Sequence, residues 1–92
     1  MGYKILIADD EAEIRDLLRL YLEKDGYEVV EAADGTQALS ALQDAALRQE
    51  GIDLVLLDIM MPGIDGYRVL RNIREHSNIP VIMLSAKSGD SD

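Results

Sequence analysis

Three aspartates and a serine carry the chemistry open to this sequence. Asp9 and Asp10 end the stretch "ILIADD", Asp58 ends "LVLLD", and Ser85 follows "VIML". Each therefore stands directly after a short apolar run. Continuous apolar runs suit strands covered on both faces, and a carboxylate at the end of one sits where an unpaired charge is expensive. If the three acids converge, their mutual repulsion drives at least one pKa upward unless a cation neutralises them. Oxygen donors of this kind select a hard divalent ion. Two carboxylates, a backbone carbonyl and waters make an octahedral Mg²⁺ site, and the carbonyl of Met60, in the turn after Asp58, is placed to join it. Taken singly, Asp9 is compatible with a solvated turn and Ser85 with a simple strand end, while Asp10 with Glu13 forms a capping box for a following helix. Asp58 has fewer structural excuses, because Pro62 and Gly63 follow it closely and the other strand-end acids point to the same place.

The elements that must position these residues show in the hydrophobic period. "ILIA" (5–8), "VV" (29–30), "LVLL" (54–57) and "VIML" (81–84) are short, apolar and rich in β-branched residues, as strands are. In "EAEIRDLLRLYLEKDG", Ile14, Leu17, Leu18, Tyr21 and Leu22 recur at helical spacing and predict one inward face, with Gly26 as the stop. "DGTQALSAL" opens a second helix, with Asp34 and Gln37 as a capping box and Leu39, Leu42 and Ala46 facing inward. A third helix follows "PGIDG", with Val69, Leu70 and Ile73 inward and Arg68, Arg71 and Arg74 on a solvated side. His76 falls at the polar end of that helix, and Met61 and Met83 serve packing. The order βαβαβαβ predicts an α/β fold, a doubly wound parallel sheet with helices on both faces. In such sheets the working groups lie at the carboxyl ends of the strands, and a flavodoxin-like order brings the ends of the first and third strands together.

Bulk properties narrow the function classes. The 92 residues carry 18 acids and nine Lys or Arg, a net charge of −9 that repels phosphate backbones and anionic lipid. Neither direct nucleic-acid binding nor membrane attachment is expected. There is no cysteine, which fits a reducing compartment, and the only early apolar run ends in acids, so a cytoplasmic protein is expected. A chain of this length makes one domain with a small core.

These motifs resemble those of the receiver domain of two-component response regulators. "ILIADDEAEIRDLL", "LLDIMMPGIDGYRVL" and "IPVIMLSAK" stand in the order of that family's acidic pair, phosphoacceptor strand and switch hydroxyl, across essentially the whole chain. The resemblance implies that Asp58 accepts a phosphoryl group from a phosphohistidine of a sensor histidine kinase. It implies that Asp9, Asp10, Asp58 and the Met60 carbonyl hold Mg²⁺, and that Ser85 bonds the phosphoryl group in a switch governing a separate effector, such as a transcriptional one. Such a module is a phosphoacceptor with at most slow self-phosphorylation and dephosphorylation, not an enzyme.

The family also has a fourth helix, a fifth strand ending in a lysine, and a fifth helix. None of these follows Ser85 here, and Lys87, only two residues beyond it, is a loop residue. The expectation is a receiver over residues 1–92, truncated after its fourth strand, whose apolar edge "VIML" promotes a homodimer or a rearranged oligomer. Asp53 and Asp65 do not match site positions and serve as strand-start and turn or helix-cap residues. One rival reading is an inert interaction or dimerisation module. Another is a phosphatase with an aspartyl-phosphate intermediate, which needs a second acid two residues after the nucleophile, where this chain has Met60.

Overall fold

The computed structural model describes residues 3–84. Its elements are β1 (Lys4–Ala8), α1 (Ala12–Lys24), β2 (Glu28–Ala32), α2 (Gly35–Leu47), β3 (Leu54–Asp58), α3 (Gly66–His76) and β4 (Val81–Leu84). All strand pairs are parallel and the sheet order is β2-β1-β3-β4. This is the flavodoxin-like winding, in which the chain reverses direction across the sheet between β1 and β3.

Period-two alternation along each strand divides the core into two layers. Leu6, Ala8, Val55 and Leu57 face α2 and α3, where Ala38, Val69 and Ile73 meet them. Ile5, Ile7 and Leu56 face α1, against Leu18 and Leu22. The sheet is thus covered on both sides, and its central strands are apolar throughout for that reason.

Local signals end the helices as expected in most places. Asp34 accepts the Gln37 amide at 2.8 Å, and Gln37 Oε1 accepts the Ala33 amide at 2.8 Å, a reciprocal cap on α2. Asp65 caps α3 through the Arg68 amide at 3.0 Å. Asp53 accepts the Lys4 amide at 2.8 Å, at the opposite end of the sheet from the acidic residues. After α1, Gly26 takes φ +93°, and the Gly26 and Tyr27 amides return to the Glu23 and Leu22 carbonyls. That Schellman turn needs a left-handed residue, which glycine supplies without strain.

Three expectations are corrected. The capping box of Asp10 and Glu13 does not form: α1 starts one residue later, with Glu11 as N-cap and no side-chain cap bond. The shift places apolar Ile14 at the third helical position and leaves Asp10 outside the helix. Leu17 and Tyr21 are 53% and 62% exposed, because only the strip through Leu18 and Leu22 lies over the sheet. Ala46 is exposed as well, and the inward strip of α2 runs instead through Ala38, Leu39, Ala41, Leu42 and Ala45.

β4 has one neighbour among the described residues, and Ile82, on the α1 side of the sheet, is 51% exposed. No helix among the described residues is long and apolar enough to cross a membrane.

Candidate functional site

The acids meet at the carboxyl edge of the sheet. β1 stops at Ala8, so Asp9 and Asp10 turn off its end, and the neighbouring β3 brings Asp58 alongside. Asp58 is the last residue of its strand, level with Leu84 of β4, and not the first residue beyond it as the sequence suggested. One carboxylate oxygen from each of Asp9, Asp10 and Asp58 lies within 4.8 Å of the others. Asp9 and Asp58 are completely buried, whereas Asp10 is exposed.

Backbone contacts fix the two buried acids. The Asp9 amide donates to the Ala32 carbonyl at 3.1 Å, and Asp9 Oδ1 accepts the Glu11 amide at 2.9 Å. The second oxygen, Asp9 Oδ2, is buried without a hydrogen bond among the described residues. Asp58 Oδ1 accepts the Met60 amide at 3.2 Å, which ties the start of the following loop to the carboxylate. Met60 itself is 57% exposed, so its side chain packs little, while Met61 is buried in the core. Further along, the Gly66 amide donates to the Ile59 carbonyl at 2.9 Å and anchors the start of α3 directly beneath Asp58.

Charge makes this arrangement a cation site in waiting. Two unit charges 4.8 Å apart repel by about 3 kcal/mol at an effective dielectric constant near 20. A hard cation with oxygen ligands removes that repulsion and satisfies Asp9 Oδ2 at the same time. The donor set therefore fits a divalent ion of the Mg²⁺ type.

Two residues that the sequence reading passed over border the site. Arg15 Nη1 donates to the Asp9 carbonyl at 2.7 Å, and Arg15 Nε donates to Glu31 Oε1 at 3.0 Å. Arg19 Nη1 takes the other Glu31 oxygen at 2.6 Å. The Arg19 hydrogen bond, opposed by partial burial and reinforced by Arg15, holds the Glu31 carboxyl below the usual carboxylate range. The one sequence signal was faint: an acid inside the apolar β2 run and an arginine on the flank of the apolar α1 stripe. Ser85 and Lys87 lie outside the described residues.

A parallel sheet in this order, with acids gathered at its carboxyl edge, is the flavodoxin-like receiver architecture. The chain belongs to the response regulator receiver domain family, whose model matches residues 5–92. It is 48% identical over 89 residues to the transcriptional regulatory protein ResD of Bacillus subtilis, covering 97% of this chain and 35% of that protein. The crystal structure of the N-terminal domain of a response regulator receiver protein from Methanoculleus marisnigri superposes with a TM-score of 0.83 at 41% identity. That match covers 92% of this chain and 68% of the other. TrrA from Thermotoga maritima, solved in complex with Mg²⁺-BeF, gives a TM-score of 0.77 at 39% identity over 94% of this chain and 71% of its own. The chain spans about a third of the length of the curated relatives it matches.

Proposed function

We propose that this chain is a phosphoacceptor signalling domain, with Asp58 taking a phosphoryl group from a phosphohistidine of a sensor histidine kinase. The observation that carries the reading is the convergence of Asp9, Asp10 and Asp58 from two neighbouring strand ends. One Asp58 carboxylate oxygen attacks phosphorus, the P–N bond breaks, and the imidazole leaves with the bonding pair. Asp9, Asp10, Asp58 and the Met60 carbonyl would hold Mg²⁺; the acidic cluster supports the site, and the solution of TrrA in complex with Mg²⁺-BeF supports the choice of ion. When bound, Mg²⁺ offsets carboxylate repulsion and the charge spread over the transferring oxygens. The Met60 amide holds Asp58 Oδ1, which limits rotation of the nucleophile. Ser85 bonds the transferred group and biases the domain between two states. The output belongs to a separate effector, and the transcriptional role in the name of ResD supports a cytoplasmic regulator of transcription.

Intact mass after incubation with Mg²⁺ and acetyl phosphate tests this. A gain of about 80 Da, one phosphoryl group, is expected with Mg²⁺ and is lost when EDTA removes the metal. Mg²⁺ binding without any gain in mass would overturn the phosphoacceptor reading and leave an inert interaction module.

Self-association through the open side of β4 is the second element of the proposal. Among the described residues β4 pairs with β3 alone, and its half-exposed Ile82 favours edge pairing with a second copy. Light scattering is expected to return twice 10.2 kDa for this chain, and a monomeric mass at all concentrations would refute the pairing.

A further inference from the structure

Arg15 reaches two structural elements at once from the end of the first turn of α1. Its guanidinium donates to the Asp9 carbonyl at 2.7 Å and to Glu31 Oε1 at 3.0 Å, in β2. Glu31 stands level with Ile7, two residues before Asp9. Arg19 holds the far oxygen of Glu31 and is itself fixed by Glu23 at 3.0 Å. The Arg15 and Glu31 side chains keep only 16% and 20% of their surface exposed, so solvent screens this pair less than an ordinary surface ion pair.

We infer that Arg15 is a positioning residue for the acidic pocket: by clamping the Asp9 carbonyl to Glu31 it sets the direction of the Asp9 carboxylate and thereby the affinity of the pocket for a divalent cation. The inference rests on the reading of the pocket given under the proposed function. Asp9 is held at its amide by Ala32 and at its carbonyl by Arg15, so the peptide planes on both sides of its Cα are fixed. The Cα–Cβ direction follows from those planes. The Glu11 amide on Oδ1 then selects the side-chain rotation, and Oδ2 is left as the oxygen without a hydrogen bond among the described residues.

Charge and geometry forecast opposite signs for the loss of Arg15. As a cation beside three carboxylates, Arg15 opposes the binding of another cation, so its removal should tighten binding if charge alone mattered. If Arg15 works by holding Asp9, its removal weakens binding, by about 10-fold on the usual effect of freeing a group that orients a metal ligand. Lysine keeps the charge but replaces the planar fork with a point donor.

The test is Mg²⁺ affinity by calorimetric titration of the chain and of Arg15→Gln, Arg15→Lys and Arg19→Gln. Amide hydrogen exchange of Glu11 in the metal-free protein is the second readout. Arg15→Gln is expected to bind Mg²⁺ about 10-fold more weakly and to exchange the Glu11 amide faster, with Arg15→Lys only partly restored. Arg19→Gln removes the same charge from the same helix and frees only the far oxygen of Glu31, leaving both Arg15 bonds in place, and is expected to lose less affinity and less Glu11 protection than Arg15→Gln. Unchanged or tighter affinity in a folded Arg15→Gln overturns the inference, as does full parental affinity in Arg15→Lys, which also decides the matter if the Gln variant does not fold. If the parent itself binds no Mg²⁺, the reading of the pocket falls. Glu11 exchange still separates the two ideas in that case: faster exchange in the Arg15 variants supports the clamp, and parental exchange overturns it.

Discussion

Asp58→Asn leaves the chain unphosphorylated and, in the absence of metal, more stable than its parent. The first effect follows from the proposed role of Asp58 as nucleophile, since an amide oxygen does not replace a carboxylate as an attacking group toward phosphorus. No phosphoryl mass gain is expected from the variant under conditions that label the parent. The second effect follows from the pocket. Asp58 is completely buried, and its carboxylate shares a 4.8 Å cluster with Asp9 and Asp10. Asparagine has nearly the same shape and keeps an oxygen for the Met60 amide, which lies 3.2 Å from Asp58 Oδ1. Neutralising Asp58 removes two of the three pairwise repulsions, each about 3 kcal/mol at an effective dielectric constant near 20. The amide hydrogens that asparagine introduces need partners of their own, so a net gain of about 1–2 kcal/mol is the expected scale. Urea unfolding in EDTA reads it as a higher midpoint at unchanged slope. Adding Mg²⁺ should then narrow or reverse the gap, because a ligand stabilises most the form that binds it best. A variant less stable than the parent without metal would show that repulsion does not govern this pocket.

What near neighbours in sequence encode was legible beforehand, and what long-range packing creates was not. The four strands, the three helices and the caps at Asp34 and Asp65 are set by near neighbours in sequence, so period and cap chemistry reveal them. The gathering of Asp9, Asp10 and Asp58 was also legible, because strand order in a doubly wound sheet is restricted to few possibilities. Burial was less so. Adjacent aspartates look alike in sequence, yet Asp9 is completely buried and Asp10 exposed, since a turn at the strand end sends their side chains different ways. Helical spacing likewise marks a wide apolar face on α1, while the sheet covers only its Leu18 and Leu22 strip and leaves Leu17 and Tyr21 outside. Arg15 and Glu31 are 16 residues apart and meet only because α1 packs over the strands, a contact that no local pattern encodes.

Gly66→Ala is expected to destabilise the chain by about 2 kcal/mol and to slow phosphorylation of Asp58, although alanine is ordinarily the better helix residue by up to ~1 kcal/mol. Gly66 opens α3 against the end of β3. A methyl group there would collide with the Asp58 carbonyl oxygen and stand 2.7 Å from the Ile59 Cα. Both obstacles are backbone, so no flexible side-chain tip can move aside. Relief requires α3 to lift away or the Asp58–Ile59 peptide to shift. The first weakens the Gly66 amide bond to the Ile59 carbonyl, now 2.9 Å, and the packing of Val69 and Ile73. The second disturbs the Ile59 amide bond to Leu84 at 3.2 Å and displaces the carboxylate proposed as phosphoryl acceptor. Gly51 is the control: an added methyl there meets nothing within 4 Å, and its φ is not in the left-handed region. Gly51→Ala should therefore stabilise by about 0.5 kcal/mol, through reduced freedom of the unfolded chain, and leave phosphorylation unchanged. Urea midpoints and phosphorylation rates of the two variants, measured side by side, separate the general effect of replacing glycine from the specific contact under Asp58. Parental stability and rate in Gly66→Ala would show that the loop yields freely there, and that the close approach of α3 does not hold the nucleophile in place.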